Sequence, residues 1–101
     1  MDCYEKSATS PLLLLPGSVL VHGIPLGQGK IAGIRYGHAW IEMNGFAYDP
    51  VAGVIPLAEY YAVGQIEYTV RYTYRQAQKK MNDTGIYGPW DPAIERAVHK
   101  N

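Results

Sequence analysis

The chain has 101 residues, 48% hydrophobic and 18% charged, which suits one globular domain with a single modest core and excludes a disordered tract. Nine basic residues balance nine acidic ones, so no long-range field recruits nucleic acid or an anionic membrane. The single cysteine, Cys3, cannot close an intramolecular disulfide, which points to a reducing compartment and hence the cytoplasm.

Residues 1–10 read as a flexible N-terminal arm, since Ser7, Thr9, Ser10 and Pro11 suit a helix poorly. Leu12–Leu15, bracketed by Pro11 and Pro16, is the only long apolar run. It is too short for a signal-peptide core or a membrane span and is expected to be buried. Ser18–Ile24 is rich in branched residues and reads as a strand. Gly27, Gly29 and Gly33 then predict a loop around Lys30. Its glycine spacing resembles a phosphate loop only loosely, with neither the Gly-Lys-Ser/Thr ending nor a following helix signal. A lid or a plain connection fits better, with Lys30 and Arg35 available to an anionic ligand.

The segment from Ile34 to Asp49 predicts a β-hairpin closed by Asn44-Gly45, the strongest short signal for a type I′ turn. That turn sets the register: Met43 faces Phe46, Ile41 faces Tyr48 and Trp40 faces Asp49. Alternation then puts Ala39, Ile41, Met43, Phe46 and Tyr48 on an apolar face directed at the core. His38, Trp40, Glu42, Ala47 and Asp49 share the other, non-core face, where Asp49 lies diagonal to His38, a separation of roughly 7–8 Å between backbones.

Beyond the hairpin, Pro56–Val63 suits a short helix stopped by Gly64. Gln65–Tyr72 alternates like a half-buried strand. Thr73 and Gln76 have capping-box spacing ahead of a helix ending near Gly85, and Asp91-Pro92 opens a last short helix. The fold class is α+β, a small single domain (1–101) whose antiparallel sheet of about four strands carries two or three short helices. Tyr60, Tyr61, Tyr68, Tyr72 and Tyr74 are expected to wall the core, with Trp90 tucked over the sheet.

Gly37-His38-Ala39-Trp40-Ile41-Glu42, followed by Tyr48-Asp49-Pro50, resembles the His-Ala-Trp-hydrophobic-Glu … Asp-Pro segment of the transglutaminase-like branch of papain-fold proteins. The resemblance implies a transglutaminase/papain-like half-core in which a histidine and an aspartate complete a Cys-His-Asp triad. More widely, Leu20-Val21-His22-Gly23, Gly37-His38-Ala39-Trp40 and Gly88-Pro89-Trp90 resemble a group of small uncharacterised proteins of phages and bacteria. For a phage-encoded member the compartment would be the host cytoplasm.

A carboxylate on one imidazole nitrogen fixes the tautomer and leaves the other as a base near neutral pH, so His38 with Asp49 is the leading catalytic pair. Cys3 is the only thiol available as nucleophile, and Ser18 is a weaker substitute. Trp40 would wall the site, with His22, Lys30 and Arg35 as further substrate contacts. His22, His38 and Asp49 lack short ligand spacing, so no metal and no other cofactor is expected. The chemistry implied is acyl transfer, or hydrolysis of an amide or thioester. Two alternatives stay open. One is a non-catalytic binding module, such as a phage-encoded inhibitor or ligand-sequestering protein, that uses the same polar face for a protein or small-molecule partner. The other is an interaction subunit whose tyrosine-rich strip forms a homodimer seam.

Overall fold

The structure, a computed structural model, is described over residues 2–99. Helix α1 (Cys3–Ala8) and a 3₁₀ turn (Pro11–Leu14) precede strand β1 (Val19–Gly23). After a glycine-rich loop come β2 (His38–Met43), β3 (Phe46–Asp49), β4 (Gly53–Pro56), α2 (Leu57–Gly64), β5 (Thr69–Tyr72), α3 (Tyr74–Thr84) and α4 (Pro92–His99). The strands form one sheet in the order β4-β3-β2-β1-β5, each neighbour antiparallel. This is the expected α+β domain, with five strands rather than about four and with four α-helices among the described residues. The extra strand, β4, has four residues and lies at an edge with Pro56 at its end, so it leaves little trace in sequence. No described helix is long and apolar enough to cross a membrane.

The hairpin has the predicted register: Ile41 pairs with Tyr48 and Met43 with Phe46, across Asn44 and Gly45 at φ 53° and 82°. Thr73 and Gln76 form both bonds of a capping box, Gly85 ends α3 in the left-handed conformation, and Asp91 caps α4. The expected strand over 65–72 shortens to Thr69–Tyr72, leaving Tyr68 exposed. Phe46 and Tyr74 are also exposed, as are Leu14 and Leu15; of the leucine run only Leu13 is buried.

Two further readings need correction. Residues 3–8 are a helix, not a flexible arm: Asp2 Oδ1 accepts the Glu5 N–H at 2.8 Å as N-cap. Tyr4, Ser7 and Ala8, spaced to share one face, are buried where α1 packs on β2. The face of β2 expected to lie away from the core is a second core. Leu20, Ile41 and Tyr72 pack with Ala8, Leu13, Ala77 and Trp90 on one side of the sheet. Val21, Trp40 and Ala47 pack with Tyr60 of α2 on the other. Every residue of β2 is buried, Trp40 completely.

Residues 20–23, 37–40 and 88–90 meet in space. A Cβ on Gly23 would stand 2.5 Å from the Trp40 ring, so glycine there admits the indole. His22 faces the opposite side, its ring 5.0 Å from that of Trp90 and 5.1 Å from that of Tyr72.

Candidate active site

His38 opens β2 and Asp49 closes β3, so the hairpin register brings them together. His38 Nε2 lies 2.7 Å from Asp49 Oδ2, and the side chains are only 9% and 4% exposed. The pair is therefore buried, not the half-exposed surface pair that a non-core face implies.

Asp49 is held from four directions. Oδ2 also accepts the Tyr60 hydroxyl, and Oδ1 accepts the N–H groups of Val51 at 2.7 Å and Ala52 at 2.9 Å. Burial works to raise the Asp49 pKa. The His38 bond and charge, the Tyr60 hydroxyl and the Ala52 N–H outweigh it and hold the carboxyl well below its ordinary range. Burial works to lower His38, but the bond to Asp49 and that carboxylate's charge, with a further contribution from Cys3, push it up to about 9. Tyr60, buried against the carboxylate, is driven far above the ordinary phenol range and stays a donor.

Cys3 is the first residue of α1, and its half-buried thiol faces the cleft that His38 also lines. Asp49 occupies Nε2, so a thiol engaging this ring would do so through Nδ1. Cys3, His38 and Asp49 line one cleft of about 360 Å³ together with Ile31, Tyr36 and Val51. A cysteine at the start of a helix, a histidine and a carboxylate thus converge from three separate elements.

The remaining expected contacts lie elsewhere. Trp40 is beneath the site, its ring 5.9 Å from that of His38, with Nε1–H donating to Glu42 at 2.9 Å. It supports the imidazole and cannot touch a substrate. His22 is wholly buried on the other side of the sheet, among Tyr4, Tyr72 and Trp90, with neither ring nitrogen hydrogen-bonded. Burial pushes it down to about 4, so it is a neutral core residue. Arg35 straps the glycine-rich loop to the carbonyls of Ile24 and Gln65 and to Glu67. Lys30 is exposed and lines neither cleft at His38. The Ser18 hydroxyl donates to the Leu15 carbonyl, at the far end of the strand pair from His38. Among the described residues, no three His, Cys, Asp or Glu side chains are grouped to hold a metal ion.

Sequence reasoning missed Tyr60 and Tyr36. The Tyr36 ring centroid lies 5.6 Å from that of His38, and its hydroxyl is pushed up by burial and by the charges of Asp49 and Cys3. The Tyr36-Gly37-His38 sequence carried no signal of this. Beside the site, Glu42 accepts bonds from Trp40, Tyr61 and Arg71, which closes the polar layer of the second core. Comparison with family models, curated proteins and solved structures finds no match to this chain.

Proposed function

We propose that this protein is a thiol-dependent acyl-transfer or hydrolytic enzyme acting on an amide or thioester. The observation that carries the reading is Cys3, first residue of α1, beside a histidine whose other nitrogen is bonded to a fourfold-anchored carboxylate. The resemblance of residues 37–50 to transglutaminase-like proteins supports the same assignment.

In this mechanism the Cys3 sulfur attacks the substrate carbonyl and its proton resides on His38 Nδ1. Asp49 keeps the imidazolium oriented, while Tyr60 and the Val51 and Ala52 amides keep Asp49 in place. The N–H groups of Cys3 and Tyr4 would supply the donors for the developing oxyanion, since that of Glu5 is taken by Asp2. His38 then protonates the departing amine or thiol, leaving the acyl group on sulfur. A water or an acceptor nucleophile, deprotonated by His38, releases the acyl group and restores the thiol.

Incubation with a thioester should give an acyl adduct on Cys3, detected by intact mass and peptide mapping. His38→Ala should slow its formation by about 10²-fold or more. An unmodified Cys3, or equal rates in both proteins, would leave the non-catalytic binding reading of the same face in its place.

A further inference from the structure

A second cleft adjoins the candidate site. It measures about 240 Å³ and shares Tyr36, His38, Asp49 and Ala52 with the cleft that Cys3 lines. Its remaining wall is largely apolar, made by Pro25, Leu26, Ile55, Tyr60, Val63 and Ile66. Tyr60 brings one polar atom, and that hydroxyl is already bonded to Asp49. No lysine or arginine among the described residues lines the cleft, and Glu59 adds a carboxyl beside it.

The walls come from three parts of the fold, and they are tied together. The Gln28 amide donates to the carbonyls of Leu26 at 3.3 Å and Val63 at 3.2 Å, clamping the loop after β1 to α2. Gly64 and Ile66 sit against each other close by, where a Cβ on Gly64 would meet Ile66 at 3.2 Å. The space is smaller than the ~300–1,000 Å³ of sites that enclose a drug-sized ligand, so it suits a single short chain.

We propose that this cleft is the acyl-binding subsite of the Cys3–His38–Asp49 centre and that it selects a neutral, apolar acyl group of medium length. The inference rests on the acyl-transfer reading above. An acyl carbonyl at Cys3 places its chain along the wall that the two clefts share, past His38 and Tyr36. Apolar lining rewards each methylene removed from water. A carboxylate-bearing acyl group would meet Asp49 and Glu59, and the one cation lining the cleft, His38, is already paired with Asp49.

The test is acylation of Cys3 by S-acetyl, S-hexanoyl and S-succinyl N-acetylcysteamine, followed by intact mass. Each rate is divided by that of free N-acetylcysteine with the same thioester. In this exchange the Cys3 sulfur forms a new bond to the acyl carbon, and N-acetylcysteamine leaves as the protonated thiol. The hexanoyl rate should exceed the acetyl rate by about 10-fold or more, with succinyl slowest. Val63→Trp, at an exposed helix position on the rim, should collapse the hexanoyl-to-acetyl ratio toward one. Ile66→Ala should shift the preference toward a longer chain, read with the octanoyl thioester. Acylation without chain preference, or a preference that neither substitution moves, overturns the subsite alone. No acylation by any thioester overturns the catalytic reading and the subsite with it.

Discussion

His38 Nε2 lies 2.7 Å from Asp49 Oδ2, and this one bond sets the character of the whole site. It occupies Nε2 of the imidazole and leaves Nδ1 as the nitrogen through which a thiol would engage the ring. Because both side chains are buried, the pair contributes to the fold as well as to the proposed chemistry. Asp49→Asn would direct an amide N–H₂ among donors, and Asp49→Ala would leave Tyr60, Val51 and Ala52 without their acceptor. Either substitution should cost roughly 1–3 kcal/mol, because buried polar groups lose partners. Thermal melts should show a drop of several degrees.

The raised pKa of His38 has a defined consequence for stability. The folded state holds the His38 proton up to about 9, whereas the unfolded chain releases it near 6.5. The stabilisation is therefore complete below about 6.5 and is lost as pH rises toward about 9. Urea titrations at several pH values should show this decline in the wild type and a flatter profile in His38→Gln. Cys3→Ser removes one of the groups that raise His38, so its decline should be smaller and should end at a lower pH.

His22 acts in the opposite sense. Buried and neutral, it is pushed down to about 4, so the unfolded chain takes up a proton that the fold excludes as pH falls below 6.5. Stability should decrease from pH 6.5 toward pH 4 through this group. His22→Leu, which removes two unpartnered ring nitrogens, should weaken that acid sensitivity in the same urea titrations. An unchanged acid limb would show that other groups control it.

Gly45 carries φ 82° in the hairpin turn that fixes the His38–Asp49 register. A β-branched residue resists that conformation, so Gly45→Val should cost well over about 1 kcal/mol, measured by chemical denaturation.

Local chemistry made much of this architecture legible. Asn44-Gly45 gave the turn, the turn gave the register, and the register paired His38 with Asp49. Thr73 with Gln76 and Asp91 with Pro92 marked two helix starts for reasons confined to a few residues. What stayed hidden depended on packing. Trp40 alternates with His38 and Glu42, so its face looks solvent-exposed until α2 covers it and those polar groups find Asp49, Tyr61 and Arg71. Helix α1 did leave a signal. Asp2 followed by Glu5 is an acidic N-cap with a carboxylate in the first turn, but the serines and threonine beyond suit a helix poorly and mask it. That short helix is what carries Cys3 to His38.

The most direct measurement of the central claim is the rate at which iodoacetamide modifies Cys3 at pH 6. A cysteine paired with His38 should react faster than free N-acetylcysteine at that pH, because thiolate is the reactive species and a cation beside it favours that form. His38→Ala should bring the rate down to that of the free thiol while Cys3 itself remains. An ordinary rate in the wild type, unchanged in His38→Ala, would contradict the triad.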